Sequence, residues 1–153
     1  MISQLAKDNI ESLVPTGERF KIVVTGYSML PLLGYGCDTI VVRRTDNEEP
    51  LMGRITMFRA KDRHIIVHRV IAVDGDNITF QGDGNPYQRE YAKRSDVVGV
   101  VEEVIREDGR TVSCTTPRWR CRERVWLSQP TIVRRYALAI LRRMANYKRK
   151  NKR

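Results

Sequence analysis

Apolar positions along this chain recur at two different periods. Ile2, Leu5, Ala6, Ile10, Leu13 and Val14 return at three- and four-residue steps, which predicts a short amphipathic helix ended by Pro15-Thr16-Gly17. Beyond Gly17 the rhythm shortens. Segments 20–24, 39–42, 55–58, 65–73, 77–80, 97–105 and 111–114 are rich in Val, Ile, Thr and Phe. Gly34-Tyr35-Gly36, Asp74-Gly75-Asp76-Asn77, Gly82-Asp83-Gly84-Asn85-Pro86 and Asp108-Gly109 punctuate them. Seven short strands at this spacing predict a mainly β protein with a small antiparallel domain, and no helical stretch supports a βαβ nucleotide-binding fold. At Pro117 the composition shifts, with arginines at every second position from Arg118 to Arg124. A helix is expected from Thr131 to Tyr147, with Ile132, Tyr136, Ile140, Met144 and Tyr147 along one face and Arg135, Arg142 and Arg149 on the other. The chain divides into an N-terminal helix (1–17), a β-rich domain (18–116) and a basic C-terminal segment with a helix (117–153).

Charge sharpens this division. The net charge is +10, and residues 118–153 hold 13 Lys/Arg against one acid, Glu123, leaving 15 Lys/Arg against 17 Asp/Glu before them. The basic segment suits anionic lipid, nucleic acid or an acidic protein, or is a solvated tail. Its apolar stripe has two readings. Ile132, Tyr136, Ile140 and Met144 dock the helix on the β-body, or they lie on an anionic membrane surface; nucleic acid is the less favoured partner. Because every candidate for chemistry lies in the near-neutral part, the tail is expected to serve location or a partner. With 41% hydrophobic and 30% charged residues the chain is globular in composition. It has no run of about 18 apolar residues to span a bilayer. Its first residues lack the features of a signal peptide. Three cysteines, Cys37, Cys114 and Cys121, without metal-ligand spacing predict a reduced, cytoplasmic compartment, with the inner face of the membrane open to the tail.

Most enzyme classes drop out on inspection. P-loop, dinucleotide glycine fingerprint and Cys-x-x-Cys pairs are missing, and two histidines make no multi-histidine metal site. Asp74-Gly75-Asp76-Asn77 starts like a calcium loop, but Ile78 and Asn85 stand where ligands are needed. No metal or cofactor is expected. One constellation remains. Ser28 lies in Gly26-Tyr27-Ser28-Met29-Leu30-Pro31, between a strand and a proline-set turn. His68 lies in the apolar run 65–71, and Asp83 in Gln81-Gly82-Asp83-Gly84-Asn85. A serine needs a base to take its proton, histidine titrates in the right range, and a carboxylate can orient the imidazole. Each residue also has a plainer reading: a serine bonded to its own turn, a buried strand histidine, and a hairpin aspartate.

The order of these pieces resembles type I signal peptidases and, within the same superfamily, the LexA-type self-cleaving proteins. Gly-x-Ser-Met-x-Pro, a strand led by Asp38, a strand led by Gly53, His68-Arg69-Val70, Gly82-Asp83-x-Asn85 and Val97-Val98-Gly99 follow the boxes of that superfamily over residues 18–106. The resemblance implies its β-fold, with Ser28 as nucleophile and His68 as base. This is the Ser-His branch; other branches carry Lys at that box. Asp83 is then the third member, and Gly26, Met29 and Pro31 position substrate or oxyanion. The nearest lysine, Lys61, lies in a polar run, and His64 lacks the Arg-Val flank. Three positions depart from the pattern. Cys37 separates Gly36 from Asp38, Arg54 follows Gly53 where Asp is usual, and Gly26 stands where a hydroxyl can assist the oxyanion.

The expected function is therefore a serine endopeptidase acting on a peptide or precursor protein. The alternative is a catalytically silent peptide-binding module recruited to a membrane or partner by its tail. A LexA-like DNA regulator fits less well, since residues 1–17 are too short for a helix-turn-helix and neither Ala-Gly nor Cys-Gly occurs. Nothing in the pattern speaks to oligomeric state.

Overall fold

The computed structural model describes residues 13–34, 38–46, 48–62 and 64–151, with side chains as far as Tyr147. Eight strands form one antiparallel sheet: β1 (Arg19–Val23), β2 (Thr39–Arg44), β3 (Ile55–Arg59), β4 (Ile65–Asp74), β5 (Asn77–Gly82), β6 (Asn85–Lys93), β7 (Val97–Ile105) and β8 (Thr111–Ser113). The spatial order is β1-β2-β7-β3-β4-β5-β6, with β8 beside β7. Two helices follow, α1 (Pro117–Leu127) and α2 (Thr131–Asn151).

Both faces of the central strands are buried, which is why they read as apolar runs rather than clean alternation. On β3, Ile55 and Met57 join Met29, Leu33, Val98 and Trp119 in one cluster. Phe58 turns the other way, to Val70, Phe80, Val97 and Val100. The rings of Phe58 and Phe80 stack with centroids 3.8 Å apart.

The turn expected at Asp74–Asn77 is present, while other expectations change here. The calcium-like loop is the two-residue turn of the β4–β5 hairpin, with Asp74 paired to Asn77 and Gly75 at φ 55°. Strand β6 was not expected: Asn-Pro-Tyr-Gln-Arg-Glu-Tyr-Ala-Lys has no buried face, because β6 is an edge strand paired only with β5. Helix α1 was not expected either. Its signal was Thr116, whose hydroxyl accepts the Trp119 N–H at 3.3 Å, with Pro117 at the first helical position. The predicted N-terminal helix and Cys37 lie outside the described residues, apart from the helix end before Gly17.

Of the two readings of the α2 stripe, docking on the body is the one that fails. Ile132, Tyr136, Ile140 and Met144 do not dock it; they are 64, 67, 61 and 55% exposed. The opposite face, with Arg134 and Leu138, is buried against the body instead. Periodicity located the amphipathic stripe, but Leu138 and the stem of Arg134 supply a second apolar surface that simple charge counting assigns to solvent.

Candidate active site

Ser28 follows β1 in a tight turn. The Leu30 N–H donates to Tyr27 O at 3.2 Å, and the Leu33 N–H to Met29 O at 3.0 Å. Met29, Leu32 and Leu33 are buried in the core, so the turn is pinned by apolar side chains while Ser28 stays half-buried at its rim. At the far end the Asp38 carboxylate accepts the Gly34 N–H at 2.6 Å and an Arg106 N–H, and Arg106 also donates to Leu32 O at 3.0 Å. Met29 and Asp38 thus act by holding the loop. Among the described residues neither the Ser28 hydroxyl nor the N–H groups of Ser28 and Met29 have a hydrogen-bond partner, which leaves the two amides as candidate oxyanion donors. Gly26 lies beside them. A Cβ built there would sit 3.9 Å from Ser28 Oγ, so a side chain fits.

His68 is 7% exposed on β4, opposite Thr56 of β3, with its ring tilted against Phe58 at 6.3 Å. Burial pulls its pKa below the ordinary histidine value, while the charges of Glu90 and then Asp83 push it back up. The imidazole is therefore neutral at neutral pH, as a base must be. Its Nδ1 is buried without a hydrogen-bond partner.

The β5–β6 turn brings the two together. The Gly84 N–H donates to Ser28 O at 2.7 Å. A Cβ on Gly82 would lie 2.4 Å from Ser28 O and 3.2 Å from His68 Nε2, and one on Gly84 would lie 2.5 Å from Tyr27 O. Only glycine allows the turn to seat this closely, and it seats against the Ser28 backbone and the His68 ring at once. The Ser28 carbonyl and the His68 ring both border this turn, and the Ser28 hydroxyl makes no hydrogen bond to His68.

Asp83 does not play the expected part. Its carboxylate takes a two-pronged bond from Arg69, with Nε to Oδ1 at 2.8 Å and Nη2 to Oδ2 at 2.7 Å, and both side chains are at most 4% exposed. A guanidinium buried so deeply needs a full counter-charge, and that demand captures the carboxylate. Arg69 also reaches Gly53 O at 2.8 Å and Glu123 of α1 at 2.9 Å, and Glu123 accepts the Trp119 indole N–H at 2.7 Å. The residue that sequence reasoning missed is Glu90, whose charge acts on His68 more strongly than that of Asp83. A strand too polar to be recognised offered no signal for it. His64 is outside the site, exposed and bonded to Asp62 at 2.8 Å. Burial raises the Cys114 thiol to about 12, which leaves it inert as a nucleophile.

A cleft of about 240 Å³ runs beside Ser28 and Met29. One wall is the unbroken run Ile22, Val23, Val24, Thr25, Gly26, and the other is Ile65, Ile66, Val67. Consecutive residues line it, so backbone as well as side chains forms the rim. β1 is the last strand of the sheet on its side, and β4 has no β5 partner before Arg69. Among the described residues, two strand edges with unpaired ladder positions therefore flank the cleft.

The C-terminal helices close the back of the site, so the tail, expected to serve location or a partner, also touches the loops that carry Asp83 and Gly84. Trp126 Nε1 donates to Asp83 O at 3.0 Å and Arg134 Nη2 to the same oxygen at 2.9 Å, with the Arg134 guanidinium 5.4 Å from the Trp126 ring. Arg142 donates to Gly84 O at 2.8 Å, and the Tyr27 hydroxyl to Asn146 at 2.6 Å. Among the described residues no helix is long and apolar enough to cross a membrane. No protein-family model matches the chain, and no curated protein does.

Proposed function

We propose that this protein is a serine endopeptidase of the signal peptidase/LexA catalytic type, with Ser28 as nucleophile and His68 as base, cutting a peptide or precursor protein bound in extended form. The observation that carries the reading is the Gly82–Gly84 turn, which abuts the Ser28 carbonyl and His68 Nε2 together, while Ser28 also lines a cleft rimmed by two strand edges. An extended peptide would add to those edges by main-chain hydrogen bonds, with alternate side chains in the apolar cleft. Ser28 Oγ would attack the scissile carbonyl carbon while its proton passes to Nε2. The new oxyanion would face the Ser28 and Met29 amides. Collapse breaks the C–N bond, Nε2 returns the proton to the leaving amine, and water then hydrolyses the Ser28 ester by the same base. For Nε2 to accept, Nδ1 must carry the ring hydrogen, and the imidazolium is stabilised by the field of Glu90 and Asp83 rather than by a direct carboxylate bond.

The test is a peptide-based serine-reactive probe followed by mass mapping. Labelling at Ser28, lost in Ser28→Ala and His68→Ala, is expected. A protein that retains its fold and shows no labelling at Ser28 sinks the reading. A second reading, a silent peptide-binding module, draws on the unpartnered Nδ1 and the missing Ser28–His68 bond. Under it, extended peptides bind wild type without turnover.

A further inference from the structure

Helix α2 has two apolar faces, and only one of them is used. The inner face buries Leu138 and Arg134, and places Arg142 and Asn146 on the loops of the site. The outer face carries Ile132, Tyr136, Ile140, Met144 and Tyr147, each 55–68% exposed. These five recur at four- and three-residue steps over four turns and form one continuous convex ridge. A helix already held in place by its inner face has no structural need for such a ridge.

The charge around the ridge identifies its occupant. Residues 118–153 carry 13 cations and one acid, and that acid, Glu123, is already bonded to Arg69 and Trp119. A second copy of the chain would bring the same excess of positive charge to the contact, so self-association through this face is electrostatically opposed. A protein partner would have to present an apolar groove shaped to these side chains and rimmed by acids. A fluid anionic surface requires no matching shape. It accepts aliphatic side chains below the headgroups, tyrosine rings at their level, and cations against the phosphates. We infer that the outer face of α2 is a docking surface for an anionic lipid bilayer, with the helix lying in the interface plane. The Gly82–Gly84 turn then sits about one helix diameter, roughly 10 Å, from the lipid. The docking rests on α2 alone and holds whether or not Ser28 is catalytic.

Co-sedimentation of the full chain with phosphatidylglycerol-containing vesicles, against pure phosphatidylcholine vesicles, tests this. Binding to the anionic vesicles alone, weakened by added salt, is the expected result. The double variant Tyr136→Ser/Ile140→Ser keeps every charge and removes two exposed apolar groups. It should lose binding by about tenfold or more at an unchanged melting temperature. Ser28→Ala should bind like wild type, which separates this outcome from any failure of the peptidase reading. Three results would each overturn the inference: no sedimentation at low salt; full binding by the double variant, which means a purely electrostatic tail; or a wild-type dimer that the double variant dissociates, which means that a second copy covers the ridge.

Discussion

Replacing Asp83 by Asn separates the two roles that its position allows. If Asp83 oriented the imidazole, the variant would fold normally and lose activity with an altered pH profile. The structure instead puts the carboxylate in a two-pronged bond with Arg69, both partners at most 4% exposed. Leaving a buried charge without its partner costs about 3–5 kcal/mol. Arg69 keeps Glu123 at 2.9 Å and Gly53 O at 2.8 Å, so the loss belongs at the low end, about 3 kcal/mol. For a chain of this size each kcal/mol moves the melting temperature by about 2–4 °C, giving a fall of roughly 6–12 °C. Urea denaturation of wild type, Asp83→Asn and Arg69→Met/Asp83→Leu is the assay. The double variant removes both charges and should recover most of the loss, because two apolar side chains replace an ion pair at little net cost. An Asp83→Asn protein within about 1 kcal/mol of wild type, yet inactive, would refute the assignment of Asp83 to the frame of the site.

Other outcomes follow from the same geometry. Gly82→Ala would force a Cβ to 2.4 Å from Ser28 O, and probe labelling at Ser28 should fall at least about tenfold in a protein that circular dichroism shows to be folded. Gly26→Ser has room at 3.9 Å from Ser28 Oγ and adds a hydroxyl donor, so acylation should quicken by about tenfold; an unchanged rate would mean that the oxyanion forms elsewhere. Activity should rise with pH through an inflection below about 6.5, since burial lowers the His68 pKa. Stability carries the same sign. Below about pH 6.5 the unfolded chain takes up a proton that folded His68 refuses, so stability falls as pH drops, down to the folded pKa; His68→Gln should flatten that part of a melting-temperature profile. Truncation after Leu127 removes the Arg134, Arg142 and Asn146 bonds and buried Leu138, and should lower both the melting temperature and Ser28 labelling.

The antiparallel body was legible because its central strands are dense in Val, Ile and Phe and its hairpin turns are marked by glycine. Ser28 and His68 were legible as isolated chemistry in an order that carried a resemblance. What sequence order could not convey was the destination of each buried charge. Asp83 looked available to His68, but the next residue along, Arg69, is as deeply buried and outcompetes a neutral ring for the carboxylate. Strand β6 escaped because an edge strand with neither face buried has no hydrophobic rhythm to detect. In α2 the periodicity was read correctly but could not say which way the stripe faces: the larger apolar stripe is turned outward, and the smaller one, helped by arginine stems, does the packing. Helix α1 was concealed by alternating arginines, although Thr116-Pro117 marked its start.

The Tyr27–Asn146 hydrogen bond joins residues 119 positions apart. During synthesis, at about 5–20 residues per second, roughly 6–24 seconds separate the appearance of its two ends. For that interval the Ser28 loop is without the helix that closes its back. The Ser28 loop is thus among the last parts of the molecule to gain its full set of contacts, after the strands of the sheet have been made.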